Sequence, residues 1–245
     1  MMKQATLKVP NSTLPLVLIP GMMCDHRLYT HQVAALRESR EVLVAHVDQG
    51  CSMEAIAKSV FSQIPWSRFA LGGLSMGGII AMEMARQKPE LIAGLALMDT
   101  NPWAEIPEVK ALRTPQLELA EQGKFLDVIE QQMAPKYGGS AAEQEGQLGL
   151  VLAMARSLGK EVFINQSIAL RDRPDQTETL KKFTGPSIAL CGEHDQLCPL
   201  DRHQAICHLM PNCQLHVIPN SGHLITLQMP LATNTHLAHW LETLL

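Results

Sequence analysis

The chain has 245 residues, 46% of them hydrophobic and 18% charged, which is enough apolar material for a sizeable core and argues against disorder or a coiled coil. The net charge is −4 with acids and bases interspersed, so no basic stripe for nucleic acid and no cationic face for a membrane is offered; a small, roughly neutral ligand fits better than a polyanion. Residues Met1 to Thr6 have no apolar signal region, no run reaches the ~18 apolar residues of a membrane span, and six cysteines without a C-x-x-C pair read as free thiols, so the expectation is a cytoplasmic protein with no metal.

In chain order, Ala5 to Val9 is a candidate edge strand, and Leu14 to Ile19 is a continuous apolar run stopped by Pro20-Gly21, the pattern of a parallel strand buried on both faces. A loop from Gly21 to His26 leads into an amphipathic stretch through Leu28, Val33 and Leu36. Val42 to Val47 gives the next strand, and Ser52 caps a helix carrying Ile56, Val60 and Phe61 at helical spacing. Phe69-Ala70-Leu71 enters the run Gly73-Leu74-Ser75-Met76-Gly77, after which helical spacing continues without a breaker to Pro89. Leu95 to Asp99 is another apolar strand. This strand and helix alternation predicts a doubly wound, mostly parallel sheet with its loops gathered at the carboxyl ends of the strands.

From Thr100 to about Thr184 the strand signal disappears. The stretch is rich in Gln, Glu, Leu, Met and Ala, with helical segments near Pro107 to Gln122, Phe125 to Met133, Gln144 to Leu158 and Lys160 to Leu170. Strand pattern resumes at Pro186 to Gly192 and ends in Glu193-His194-Asp195. A helix over Leu200 to Met210, a last strand over Cys213 to Ile218, the turn Pro219 to His223 and a final helix over Met229 to Leu244 complete the chain. The expected division is therefore a core of residues 1–99 and 185–245 with a helical cap inserted at 100–184.

The serine turn is the strongest chemical signal. A strand that becomes a helix on Ser75 forces that residue into a strained conformation, and glycines two before and two after it remove side chains that would collide as the two elements converge. The hydroxyl then stands at a helix N-terminus, where the Met76 N–H and the helix dipole favour an oxyanion. Such a turn is also compatible with a phosphate cradle or an idle serine in a tight bend. However, neither G-x-G-x-x-G nor G-K-[ST] is present.

Ser75, Asp195 and His223 follow the ends of three predicted strands, in the chain order that a Ser-Asp-His constellation takes on this kind of sheet. With Gly73-Leu74-Ser75-Met76-Gly77, Gly192-Glu193-His194-Asp195 and Ser221-Gly222-His223 as its strongest points, the chain resembles the α/β-hydrolase superfamily, in particular its small helical-capped members. Those include carboxylesterases, enol-lactonases and carbon–carbon bond hydrolases. The resemblance implies Ser75 as nucleophile, His223 as base and Asp195 as the orienting acid. Asp99 is the rival acid, since some members of the superfamily use the neighbouring strand; read on its own, Asp99 before Thr100-Asn101-Pro102 is a turn former. The resemblance also places the second oxyanion donor in the loop after the early strand, where the family usually has His-Gly and this chain has Pro20-Gly21. Met22 N–H and Met76 N–H are the expected donors, and Asp25 is expected to cap the following helix.

The expected reading is a serine hydrolase cleaving a small or medium carboxylic ester, with a small-molecule acyl substrate and no cofactor. The same residues also suit an enol-lactonase, a thioesterase, a perhydrolase, a carbon–carbon bond hydrolase or a non-catalytic receptor. Trp103, Met133, Tyr137, Met154 and Phe163 are candidate pocket walls on the cap, and a chain only 4% aromatic predicts a short acyl group. His236 and His239 look like a metal pair but lack a third ligand in the sequence, so a solvated helix face is expected.

Overall fold

Six parallel strands pair in the order β2-β1-β3-β4-β5-β6 in the computed structural model, which describes residues 13–138 and 141–244. They are β1 Leu16–Ile19, β2 Val42–Val44, β3 Phe69–Leu74, β4 Ile92–Met98, β5 Ser187–Gly192 and β6 Cys213–Ile218. The four inner strands are buried at every position, whereas the edge strands β2 and β6 are mostly half-buried. That is why the inner ones read as unbroken apolar runs. Each parallel connection needs a crossover, and helices supply them on both faces.

Around the sheet lie α1 Thr30–Leu36, α2 Met53–Phe61, α3 Met76–Gln87, α9 Leu200–Leu209, α10 Ile225–Gln228 and α11 Pro230–Glu242. Between β4 and β5 come α4 Pro107–Glu121, α5 Phe125–Val128, α6 Ala141–Leu158, α7 Lys160–Arg171 and α8 Thr177–Lys182. Of these, α8 packs on α3 and α9 in the layer against the sheet, while α4 packs on α5 and α7. No helix among the described residues is long and apolar enough to cross a membrane.

Several boundaries differ from expectation for identifiable reasons. β2 stops at Val44, where its pairing with β1 ends at Leu18 and the Ala45 N–H makes the last bond, to the Leu18 carbonyl (2.9 Å). The stretch expected as one helix from Phe125 to Met133 changes to a π turn over Ile129–Met133 and then a 3-10 turn over Ala134–Lys136, where Pro135 has no N–H to extend an i→i−4 ladder. Helices α8 and α10, six and four residues long, were too short to leave a periodic signal. The candidate strand at Ala5 to Val9 lies outside the described residues.

The topology fixes where a ligand can bind. Chain order reverses across β1, whose neighbours are β2 on one side and β3 on the other. Such a reversal opens a crevice beyond the carboxyl ends of the strands, here between the loop after β1 and the turn after β3.

Candidate active site

Ser75 is the residue on which β3 turns into α3. Its φ of 56° and ψ of −119° lie in a region that non-glycine residues avoid, at a cost of roughly 1–3 kcal/mol. Surrounding bonds hold it there: Ser75 N–H donates to the Met98 carbonyl (2.9 Å), and the Ser75 carbonyl accepts from Gly78 N–H (2.9 Å) and the Thr100 hydroxyl (2.7 Å). The flanking glycines are sterically required. A Cβ on Gly73 would stand 2.2 Å from the Gly77 carbonyl oxygen, and one on Gly77 would stand 2.0 Å from that of Ile19.

The loop after β1 passes beside this turn, close enough that a Cβ on Gly21 would lie 3.5 Å from the Ser75 Cβ. Met23 takes a left-handed φ of 55°, and its N–H donates to Gln166 Oε1 (2.8 Å), while Gln166 Nε2 donates to the Val47 carbonyl (2.9 Å). Tyr29 adds a bond from its hydroxyl to the Ile19 carbonyl (2.9 Å). Gln166 on α7 and Tyr29 thus brace a loop that lacks the histidine its resemblance led one to expect. Nothing local in the sequence marks Gln166, because its partners Met23 and Val47 lie far along the chain. The N–H groups of Met22 and Met76 donate to no acceptor among the described residues. Asp25 is the expected cap: it accepts from the Arg27 N–H (2.9 Å) and pairs with the Arg27 guanidinium.

His223 is brought to Ser75 from the loop after β6. Its Nε2 lies 2.9 Å from Ser75 Oγ and its Nδ1 lies 2.8 Å from Asp195 Oδ2, so the three side chains form one hydrogen-bonded chain. Asp195 Oδ1 accepts from the N–H groups of Leu197 (2.8 Å) and Cys198 (2.9 Å). Burial alone raises the Asp195 carboxyl, but the His223 charge, the His223 hydrogen bond and these two amides outweigh it and hold the group below the usual carboxylate range. The histidine backbone is fixed as well. His223 N–H donates to the Tyr137 carbonyl (2.5 Å), the Tyr137 ring stacks on the imidazole with centroids 5.7 Å apart, and Gln228 accepts from Gly222 N–H (2.8 Å). A Cβ on Gly222 would stand 1.9 Å from the Tyr137 carbonyl oxygen.

Asp99 departs from its expected role. Rather than shaping a local turn, it is fully buried with a φ of 43°, and its two oxygens accept from Gly192 N–H (2.9 Å) and Ile225 N–H (3.3 Å). It thereby ties the end of β4 to β5 and to the segment after His223. Burial and the nearby Asp195 charge push its carboxyl well above the ordinary value, and the two amides only partly oppose them. Next to it, buried His203 accepts from Thr100 N–H at Nε2 (3.0 Å), and burial lowers it to about 4.

Ser75 and His223 open into a cavity of about 510 Å³. Of the expected wall residues, Trp103, Met133 and Tyr137 line it. Met154 and Phe163 do not: both are fully buried, Phe163 packs on Phe125, and Met154 offers its sulfur to the Asp25 N–H (3.5 Å). Helical spacing cannot tell a wall from a core, and Met154 on α6 and Phe163 on α7 proved to be core, whereas Leu170 on α7 lines the cavity. Two groups of potential metal ligands, Asp99-Cys191-His203 and Asp195-Cys198-His223, bring their donor atoms within 4.8 Å. In both, hydrogen bonds already occupy the histidine nitrogens, and burial raises the Cys191 and Cys198 thiols, which disfavours the thiolate a metal needs. His236 rests its ring against His216, with centroids 4.3 Å apart, and neither His236 nor His239 belongs to such a group among the described residues.

Comparison with known proteins adds to this geometry. A family model described as alpha/beta hydrolase fold matches residues 49–230. The chain is 24% identical to the biotin biosynthesis bifunctional protein BioHC of Cellvibrio japonicus, over 94% of the chain but only 48% of that protein, so it spans about half that relative's length. It is 26% identical to a pimeloyl-[acyl-carrier protein] methyl ester esterase of Shewanella woodyi, covering 93% of each. Among solved structures, a thermophilic esterase from Thermogutta terrifontis superposes with a TM-score of 0.85 at 25% identity, covering 94% of this chain and 90% of that one.

Proposed function

Since the chain belongs to the alpha/beta hydrolase fold family, we propose that it is a serine hydrolase that cleaves a small or medium carboxylic ester through an acyl-enzyme intermediate. The observation that carries this reading is the continuous Asp195–His223–Ser75 hydrogen-bonded chain at the mouth of a cavity. A serine hydroxyl is a weak nucleophile, and only a base within hydrogen-bond reach makes it effective at neutral pH. The similarity to a protein named as a methyl ester esterase favours an ester over other acyl bonds.

In this reading Ser75 Oγ attacks the ester carbonyl while its proton passes to His223 Nε2. The carbonyl oxygen becomes an oxyanion, for which the N–H groups of Met22 and Met76, without an acceptor among the described residues, are the donors. Asp195, held ionised, keeps Nδ1 protonated and stabilises the imidazolium. His223 then returns its proton to the departing alcohol, leaving an acyl group on Ser75. Water attacks that acyl group with His223 again as base, and the acid and free Ser75 are released. The segment from Thr100 through α7 acts as a lid, since Trp103, Met133 and Tyr137 come from it, while α8 packs on α3 and α9 against the sheet.

A fluorophosphonate probe should label the folded protein rapidly, and peptide mass spectrometry should place the adduct on Ser75. Absence of labelling in folded protein would overturn the reading. Rates on p-nitrophenyl esters from acetate to laurate, beside lactones and thioesters, should be highest for the shorter esters.

A further inference from the structure

The cavity beside Ser75 is far from neutral, although the chain as a whole carries a small negative charge. Its walls include four cations, Arg113, Lys136, Arg173 and Arg202, and one carboxylate, Glu105. That carboxylate is shared. Arg173 takes it with both terminal nitrogens (2.7 and 3.0 Å), and its Nε donates to the Trp103 carbonyl (2.8 Å). Arg113 reaches the same Glu105 Oε2 with Nη2 (2.6 Å) and Nε (3.2 Å). One negative charge thus serves two largely buried guanidiniums.

Arg202 has no share in it. Its guanidinium lies over the Trp103 ring, 4.6 Å from the centroid, and makes no hydrogen bond among the described residues. The Nε is buried, and the nearest carboxylate oxygen, on Asp201, is 3.7 Å away. A buried donor without a partner costs stability, as does positive charge in excess of its counter-charge at low dielectric. Burial and the neighbouring Arg171 and Arg173 charges work against the Arg113 cation, and Glu105 does not fully offset them. A guanidinium is also the side chain whose planar fork best matches a carboxylate or phosphate.

We propose that this wall is an anion subsite, and that the substrate carries a carboxylate or phosphate at a distance from the bond that Ser75 attacks. Arg202, stacked on Trp103 and held by its neighbour Asp201 only through a 3.7 Å ion contact without a hydrogen bond, is the principal contact; Arg113 contributes its Nη1, which Glu105 does not take, and Arg173 with Glu105 fixes the frame. The inference rests on the Ser75 reading for which bond is cleaved, but not for whether the anion binds.

Binding can be tested apart from turnover. Calorimetry on the folded Ser75→Ala variant should give at least about tenfold tighter binding of monomethyl adipate, or of 1-butyrylglycerol 3-phosphate, than of uncharged methyl hexanoate. Whichever anion is preferred identifies carboxylate or phosphate as the group recognised. The preference should shrink as salt rises and should be lost in Ser75→Ala/Arg202→Gln, while affinity for methyl hexanoate stays within about twofold. In the protein with Ser75 intact, kcat/KM should show the same preference and the same selective loss in Arg202→Gln. If both anions bind no better than methyl hexanoate, or if Arg202→Gln weakens charged and neutral ligands equally, the subsite is overturned and the arginines only fasten the wall. That result leaves Ser75 labelling untouched. Conversely, failure to label Ser75 alongside a clear anion preference removes the hydrolase reading and leaves the subsite standing.

Discussion

The ends of β4 and β5 each deliver a buried aspartate, and the two are opposite in character. Asp195, after β5, receives two backbone amides on one oxygen and the His223 imidazole on the other, and so is held ionised. Asp99, after β4, also receives two amides, one on each oxygen, but no side-chain cation pairs with it among the described residues, and burial beside Asp195 pushes its carboxyl up. Two carboxylates so close in a dry site cannot both ionise cheaply, and the histidine decides which one does. The difference shows that placement at a strand end is not enough to hold a buried carboxylate ionised; contact with the imidazole is what separates the two.

The largest expected effect comes from breaking the ionised side. Asp195→Asn keeps the size of the side chain but lets the imidazole take the wrong tautomer, a change that lowers kcat by about 10⁴-fold in a related arrangement. Steady-state kcat on p-nitrophenyl butyrate, with circular dichroism confirming the fold, measures it. Near-normal turnover in this variant would move the orienting role elsewhere, and Asp99 would be first in line.

The second test concerns His203, which packs in the same buried cluster. Its folded value of about 4 lies below the ordinary 6.5, so between those limits the unfolded chain binds a proton that the folded one does not. Stability is therefore fully present above pH 6.5 and falls as pH drops toward 4, by on the order of 3 kcal/mol. Urea midpoints at pH 7 and pH 4.5 should show the loss. His203→Gln, whose side-chain oxygen can still accept from Thr100 N–H, should show much less of it.

Asp99→Asn should have the smallest effect, with kcat within about tenfold of the unmodified protein, because the hydrogen bonds of Asp99 go to the backbone amides of Gly192 and Ile225 and not to His223 or Ser75. One acceptor is exchanged for an NH₂ that faces an amide, at roughly 1–3 kcal/mol. The pH dependence is opposite in sign to that of His203. A folded value raised above the unfolded 3.8 means that the folded state holds the proton longer, so this contribution is present at low pH and is lost as pH rises. Relative to Asp99→Asn, the unmodified protein should gain stability from pH 7 to pH 5 in paired urea melts. A collapse of kcat in Asp99→Asn would contradict the division of roles between the two carboxylates.

Legibility in the sequence followed the range of the interaction. Inner strands, long helices and the Gly73-to-Gly77 turn are local: apolar runs, 3.6-residue spacing and glycine placement encode them within a few residues, so their positions were predicted closely, as were the Ser52 and Asp25 caps. The order of Ser75, Asp195 and His223 after β3, β5 and β6 was legible for the same reason, since parallel topology sends those ends to one edge of the sheet. Everything that depended on which distant side chain arrives was not. The bracing of the Met22 loop by Gln166, 143 residues from its Met23 partner, the raised carboxyl of Asp99 and the core positions of Met154 and Phe163 were set by packing alone. The charged wall of the cavity belongs with them. Arg113, Arg173 and Arg202 are scattered through a chain with a net charge of −4, and only folding gathers them along one cavity wall, because charge adds up over neighbours in space and composition records only the total.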